Sequence, residues 1–174
     1  MSGSTNNTII YFAYGSNMLT RRLRAKDRAP SAHAIGVGFV EGRRLTFNKL
    51  GRDGSGKCDI EFTGNSADRA YGVLFRLAIG EKATLDNVEG VGSGYVDQTI
   101  QVSTAGGAVT ALTYVATLKS PALRPFHWYK AFVVSGAMEN GLPDVYVDWV
   151  RAFESLADPN VRRRKDNEDI LLGR

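Results

Sequence analysis

Cysteine is almost missing from this sequence of 174 residues, in which Cys58 is the single example. One cysteine cannot form an internal disulfide bond, so a disulfide framework is excluded. No uninterrupted apolar run approaches the roughly 18 residues of a membrane-spanning helix. The polar first seven residues also lack the apolar core of a signal peptide. These absences predict a cytoplasmic protein that makes no contact with membranes.

Histidine is also scarce, since His33 and His127 are the only two. Neither lies in an HExxH motif, and the chain has no cysteine pair and no Gly-x-Ser-x-Gly motif. A zinc site and a serine-histidine-aspartate triad therefore lack support. Residues 51–58 nearly match a phosphate-binding P-loop, but Cys58 stands where Ser or Thr would hold Mg²⁺, and a strand pattern follows instead of a helix. The chain therefore shows no recognised zinc-binding or nucleotide-binding motif.

Positive charge is in modest excess, because 22 lysines and arginines against 18 aspartates and glutamates give a formal net charge of +4. The basic residues gather at 21–24, 43–44 and 162–165, and no aromatic residue lies among them to stack on bases. We interpret these clusters as solvated faces and expect no nucleic-acid partner. The alternative, a nucleic-acid-binding protein, would be retained on polyanions in a salt-dependent manner.

Length and composition predict one domain spanning residues 1–174, with a flexible segment at 1–7 and a basic C-terminal tail at 158–174. Hydrophobic alternation predicts strands at 8–14, 31–40, 43–49, 58–62, 69–77, 95–102 and 108–116. Helical patterns cover 18–25, 81–88, 126–138 and 143–156. The last helix is predicted to bury Val145, Trp149, Ala152, Phe153 and Leu156. Strands followed by helices favour an α+β fold over a doubly wound parallel sheet.

The turn formed by Tyr14, Gly15, Ser16, Asn17 and Met18 joins the first predicted strand to the first predicted helix. Gly15 allows a backbone turn that other residues resist, and Ser16 or Asn17 is expected to cap the helix. Successive N–H groups and the positive helix end would form a cradle for a carboxylate or an oxyanion. The alternative is an ordinary capped turn.

Glu89 follows the predicted helix 81–88 and precedes the glycine-rich loop 90–94. Its neighbours Leu85, Val88 and Val91 are apolar, so its carboxylate is expected to be partly withdrawn from water, as suits a group that transfers protons. The alternative is a solvated glutamate before a glycine turn.

Three blocks of the chain together resemble the γ-glutamylcyclotransferases, within the wider AIG2-like superfamily. Residues 11–20 (YFAYGSNMLT) resemble the N-terminal signature of that family, and residues 85–96 (LDNVEGVGSGYV) resemble its catalytic acid/base segment. Residues 129–146 resemble its C-terminal segment, and the three blocks follow the family's order.

The resemblance implies a small mixed β-barrel flanked by helices that acts on a small-molecule γ-glutamyl substrate as a monomer or homodimer, with no metal and no cofactor. It implies Glu89 as the catalytic acid/base. The substrate-binding residues that it implies are Tyr14, Gly15, Ser16, Asn17, Met18, Tyr95, Tyr114 and Tyr129.

In the implied reaction, the substrate's own α-amine attacks its γ-carbonyl and releases 5-oxoproline, so the protein needs no nucleophile of its own. The leaving amine stays open, as does the choice between the α-carboxylate and the oxyanion as occupant of the Gly15 turn. One alternative is a γ-glutamylamine cyclotransferase, or a deacylase that removes a γ-glutamyl group from a larger amine. Another is a binding module that has kept the cavity without the chemistry.

Overall fold

The computed structural model describes residues 7–174. The strands in this range are β1 (Thr8–Ala13), β2 (His33–Glu41), β3 (Arg43–Leu50), β4 (Gly56–Phe62), β5 (Arg69–Ala78), β6 (Tyr95–Thr104) and β7 (Gly107–Ala116). The helices are α1 (Thr20–Leu23), α2 (Lys82–Glu89), α3 (His127–Glu139), α4 (Asp144–Arg151) and α5 (Val161–Leu172). Short 3₁₀ helices occupy Ser16–Met18 and Ile79–Glu81.

Five of these strands close into a barrel in the order β1-β5-β2-β6-β7. Neighbouring strands run antiparallel except β1 and β7, which pair in parallel where Tyr11 lies beside Leu112. Strands β3 and β4 form a separate antiparallel pair. The predicted fold class, an α+β protein with a small mixed β-barrel flanked by helices, is confirmed.

Strands β5 and β1 both bury successive residues as well as alternate ones. In β5 the alternate residues Val73, Phe75 and Leu77 are buried, as expected for an inward face, but Leu74 between them is buried as well. In β1 the last three residues are buried in succession, so Phe12 packs in the core and Tyr11 faces a polar cavity. Each large apolar side chain removed from water contributes about 1.5–3 kcal/mol.

The flexible segment expected at residues 1–7 lies outside the described residues, apart from Asn7. The Asn7 carbonyl oxygen accepts a hydrogen bond of 2.8 Å from the Ile79 N–H, which ties the start of β1 to the end of β5. Within residues 7–174, no helix combines the length and the apolar composition needed to cross a membrane.

Helix α4 is shorter than the sequence pattern predicts, and it buries a different face. The predicted apolar stripe is wrong at Val145, which is 83% exposed, and at Ala152 and Leu156, which are exposed and lie beyond the end of the helix. Trp149 and Phe153, its other members, are partly buried. The buried residues of α4 are Tyr146, Val147 and Val150. The ring of Tyr146 packs 4.9 Å from that of Tyr71, which turns this face of the helix toward the barrel.

The segment expected to be a basic tail contains helix α5. The Asn160 side chain caps this helix by accepting a hydrogen bond of 2.9 Å from the Arg163 N–H. Asp158, whose side chain is fully buried, accepts bonds of 2.7 and 2.6 Å from the Arg163 guanidinium. It also accepts a bond of 2.9 Å from the Trp128 ring N–H, so it joins α5 to α3.

We expect Asp158→Asn to destabilise the protein by about 2 kcal/mol at pH 7, because hydrogen bonds to charged groups contribute roughly 1.5–3 kcal/mol. The Arg163 guanidinium and other donors hold the pKa of Asp158 well below its ordinary value of 3.8. This stabilisation is fully present above pH 3.8 and is lost as the pH falls through the lower folded-state pKa.

Urea denaturation of both proteins at pH 7 and pH 3 measures this difference. It should be largest at pH 7 and shrink at pH 3. The control is Asp148→Asn, whose target carboxylate is 70% exposed in its ion pair with Arg151 and should contribute less than about 0.5 kcal/mol. Equal losses from the two substitutions would contradict the assignment.

Candidate active site

A polar chamber lies where β1 leads into its following turn and where α2 approaches β6. It brings together Glu89 and every predicted substrate-binding residue except Met18. The residues that line it are Tyr14, Gly15, Ser16, Asn17, Glu89, Tyr95, Tyr114 and Tyr129, together with Tyr11 and Cys58. Met18 is fully buried and packs against α3. A Cβ added at Gly136 in that helix would lie 2.7 Å from the Met18 Cβ.

Glu89 is the last residue of α2, which ends at Gly90 in a left-handed conformation with φ of 71°. The Glu89 side chain is 18% exposed. The Asn17 side-chain amide donates a hydrogen bond of 2.8 Å to Glu89 Oε1, and the Arg28 guanidinium lies 3.8 Å from the same oxygen. Arg28 also donates a bond of 3.2 Å to Asn17 Oδ1. Residues distant in sequence therefore hold the Glu89 carboxylate in position.

The predicted capping role of Ser16 and Asn17 is wrong. Neither the 3₁₀ helix Ser16–Met18 nor α1 is capped by a side chain, and Leu19 occupies the cap position of α1. Asn17 uses its side chain to hold Glu89, while Ser16 Oγ accepts a hydrogen bond of 3.1 Å from Arg22. The helix after the turn is much shorter than predicted, so its dipole adds little to the turn.

The turn can still offer backbone donors to an anion. The N–H groups of Met18 and Leu19 bond to the carbonyl oxygens of Gly15 and Ser16, at 3.0 and 3.3 Å. The donors that remain for a ligand are the N–H groups of Gly15, Ser16 and Asn17, since the first residues of a helix have no intrahelical partner.

Gly15 is required by close packing. Its φ of −114° lies outside the left-handed region, so a positive φ is not the reason for glycine here. A Cβ at this position would lie 2.9 Å from the Cβ of Cys58. The glycine therefore lets the turn approach β4 closely.

The tyrosine hydroxyls around the chamber are already hydrogen-bonded to the protein. Tyr14 donates to the Tyr114 carbonyl (2.5 Å), Tyr95 donates to the Cys58 carbonyl (2.5 Å), Tyr114 donates to Asp86 (2.6 Å), and Tyr129 accepts from the Cys58 N–H (3.1 Å). Burial raises the pKa of all four above the ordinary value of 10.0. These tyrosines therefore stay neutral at pH 7 and shape the chamber without acting as bases.

Tyr11 and Cys58 also line the chamber, although neither is among the site residues predicted from the sequence. The Tyr11 hydroxyl accepts a hydrogen bond of 3.1 Å from the Asn17 side chain. Its strand is buried without alternation, so the sequence held no signal for the direction of this side chain. Burial raises the pKa of the Cys58 thiol, so it stays a neutral thiol at pH 7.

A second, larger pocket of about 410 Å³ adjoins the chamber and shares Ser16, Glu89, Tyr95 and Tyr129 with it. Its charged residues are Arg22, Arg28, Lys49, Arg52 and Lys57, with the carboxylates of Asp53 and Glu89. The interpretation of cluster 21–24 as a solvated face is wrong for Arg22, which is half-buried with its guanidinium 4.5 Å from the Phe132 ring. Burial, with the neighbouring Arg28 charge, lowers the pKa of Arg22 to about 10.

An α+β barrel with one partly buried glutamate among neutral tyrosines and backbone N–H donors has the groups of a general acid–base site for a small polar molecule. Within residues 7–174, no three His, Cys, Asp or Glu side chains are grouped so as to hold a metal ion.

Comparison with known proteins identifies the family of this barrel. Residues 69–150 match the AIG2-like family. A protein from Mus musculus named gamma-glutamylcyclotransferase is 35% identical over 98% of this chain and 91% of its own length. The Homo sapiens protein of the same name is 32% identical over 98% and 89%. A solved structure titled gamma-glutamyl cyclotransferase is 30% identical, with a TM-score of 0.84 over 96% of this chain and 99% of that one. The chain belongs to the γ-glutamylcyclotransferase family.

Proposed function

We propose that this protein is a γ-glutamylcyclotransferase, which releases 5-oxoproline and a free amine or amino acid from a γ-glutamyl substrate. The observation that carries the proposal is the position of Glu89, whose carboxylate faces the tyrosine-lined chamber and accepts a hydrogen bond of 2.8 Å from Asn17. The activity named for the relatives from Mus musculus and Homo sapiens supports it.

Glu89 transfers protons twice in the proposed reaction. It first takes a proton from the substrate's α-ammonium group, and the free amine then attacks the γ-carbonyl carbon to form a five-membered tetrahedral intermediate. Protonated Glu89 next gives its proton to the leaving nitrogen, the bond between that nitrogen and the γ-carbon breaks, and the γ-carbonyl re-forms. The ring nitrogen then loses its extra proton to the released amine, which departs as an ammonium ion. The glutamate returns to its starting state. General acid–base catalysis of this kind accelerates a reaction about 10²–10⁴-fold.

The chamber offers only about 30 Å³, so it and the adjoining pocket together hold the substrate in the bent conformation that the attack requires. A fixed geometry for an intramolecular reaction supplies about 7–11 kcal/mol of the barrier. The N–H groups of Gly15, Ser16 and Asn17 bind either the α-carboxylate or the oxyanion of the substrate. The rigid tyrosines confine the substrate's glutamyl group. Nucleophile and electrophile both belong to the substrate, so the proposed chemistry needs no cofactor.

The experiment that tests the proposal is detection of 5-oxoproline by mass spectrometry. The purified protein is incubated with γ-glutamyl amino acids, glutathione and γ-glutamyl-ε-lysine in separate reactions, without added metal. We expect 5-oxoproline and the free amine to appear in equal amounts from at least one substrate. Substrate binding by calorimetry without 5-oxoproline from any of them would contradict the proposal and favour a binding module.

A further inference from the structure

We call the second, larger pocket beside the chamber the outer pocket. It carries more positive charge than its own carboxylates neutralise. Lys57 donates a hydrogen bond of 2.8 Å to Asp53, and Arg28 lies 3.8 Å from Glu89. The pocket's other cations, Arg22, Lys49 and Arg52, have no carboxylate oxygen within 4.0 Å among the residues that the structure describes.

Lys49 is the most unusual of these cations, because it is 8% exposed and has no ion pair within residues 7–174. Its ammonium lies 4.5 Å from the centre of the Tyr95 ring and beside Gly94, where an added Cβ would be 3.0 Å from Nζ. Burial lowers its pKa, because a partly buried ammonium is costly without an anionic partner. The carboxylates of Glu89 and Asp53 act on this ammonium only from beyond 4.0 Å, so an anion in direct contact would stabilise it.

Arg52 lies beside Gly90, at the end of the loop 90–94 opposite to Gly94 and Lys49. Its guanidinium is 3.6 Å from the position that a Cβ would take at Gly90, directly after Glu89 in the chain. Lys49 and Arg52 thus border the loop 90–94 at both ends, and this loop runs from Glu89 to Tyr95. Both cations line the pocket that Glu89 also lines, so a group that extends from Glu89 into this pocket lies near them.

The leaving group of the proposed reaction has to extend in this direction. Its nitrogen must come within hydrogen-bond reach of Glu89 to receive a proton. The inner chamber offers only about 30 Å³, whereas the larger pocket, which Glu89 also lines, offers about 410 Å³. The atoms beyond the leaving nitrogen therefore lie in the basic pocket.

We infer that the outer pocket is the leaving-group subsite and that Lys49 and Arg52 select leaving amino acids that carry a second, side-chain carboxylate. This inference rests on the proposed function. An ordinary leaving amino acid brings one carboxylate, which pairs with one of the two cations. Aspartate or glutamate brings two, one for each cation, and charge-assisted hydrogen bonds are about twice as strong as neutral ones.

The test compares γ-glutamyl-glutamate with γ-glutamyl-glutamine, which has nearly the same shape and one negative charge fewer. We expect kcat/KM of the unaltered protein to be at least about tenfold higher for γ-glutamyl-glutamate, mainly through a lower KM. Arg52→Gln and Lys49→Gln should each raise KM for that substrate about tenfold and leave kcat unchanged. KM for γ-glutamyl-glutamine should change less than about threefold, because its single leaving-group carboxylate can pair with whichever of the two cations remains.

Two variants serve as controls. Lys49→Arg retains the charge and should keep most of the preference for γ-glutamyl-glutamate that Lys49→Gln loses. Lys165→Gln makes the same change in net charge at a side chain that is 72% exposed on α5, and it should leave both KM values unchanged. Because Arg52 is exposed, Arg52→Gln keeps the test valid if Lys49→Gln fails to fold.

Each outcome of the test has a distinct meaning. Release of 5-oxoproline from both dipeptides with equal kcat/KM would overturn the inference and leave the proposed function intact. Equal losses on both dipeptides in Arg52→Gln would overturn it in the same way. Absence of 5-oxoproline from every γ-glutamyl compound would overturn the proposed function and the inference together.

Discussion

Glu89→Gln is expected to lower kcat for 5-oxoproline release by at least about 10³-fold, because one side chain makes both proton transfers of the proposed reaction. Glutamine has nearly the same shape, and its carbonyl oxygen can still accept the 2.8 Å hydrogen bond from Asn17. Its amide can neither take the ammonium proton nor protonate the leaving nitrogen. Chemistry is therefore lost while the chamber keeps its shape. Initial rates of 5-oxoproline formation measure the effect.

The matched control is Glu154→Gln, which removes a carboxylate that is 79% exposed in an ion pair with Arg124. It should change kcat by less than about twofold, because exposed ion pairs contribute little. Thermal melts of both variants should match the unaltered protein, and calorimetry on Glu89→Gln should still detect a γ-glutamyl ligand. A Glu89→Gln protein that retains substantial turnover would contradict the assignment of Glu89.

Gly136→Ala is expected to impair both stability and activity, because this position of α3 lies directly against the turn of the active site. An added Cβ would lie 2.4 Å from the Leu19 nitrogen and 2.6 Å from the Met18 carbonyl carbon. Both are backbone atoms, so either the helix or the turn has to move. Overpacking of this kind costs about 1–3 kcal/mol, which exceeds the gain of about 1 kcal/mol from alanine in a helix. Because backbone atoms cannot rotate away as a side chain can, we expect a cost in the upper part of this range, a net loss of about 1–2 kcal/mol and a fall in Tm of about 5 °C.

The effect on activity should be larger than the effect on stability, because α3 also holds the turn through hydrogen bonds. Asn140 donates a bond of 3.0 Å to the Met18 carbonyl, and Glu139 accepts one of 2.8 Å from the Thr20 N–H. Movement of this turn displaces Asn17, which positions Glu89. A misplacement of about 1 Å can cost about 10²-fold in rate, and we expect a loss of that size in kcat/KM.

Gly80→Ala is the control for this substitution. Gly80 lies in the 3₁₀ helix Ile79–Glu81, its φ is not positive, and an added Cβ would meet no atom within 4 Å. We expect Tm and kcat/KM to remain unchanged in this variant. Equal stability and activity of Gly136→Ala and the unaltered protein would show that α3 does not restrain the turn.

Local patterns predicted most of the strands. The alternation of Val73, Phe75 and Leu77 predicted β5, since each strand that faces the core on one side shows a period of two. The helical spacing of apolar residues failed for α4, because Val145 is apolar yet exposed. The buried face of this helix is set by the contact of Tyr146 with Tyr71, which are far apart in the chain. Likewise, no pattern in residues 158–174 indicated that Asp158 and Asn160 would anchor a helix.

The sequence by itself determined the order of the strands and of helices α1–α4, the resemblance to the family, and the choice of Glu89 and the Gly15 turn as candidate residues. These conclusions depend on neighbouring residues, whose spacing can be read along the chain. Only the tertiary structure decided that Asn17 holds Glu89, that Tyr11 faces the chamber, and that the outer pocket has unpaired positive charge. Each of these depends on side chains from distant segments that barrel closure brings within a few ångströms. Hydrogen bonds and charge balance are set by those distances, and no local pattern in the sequence encodes them.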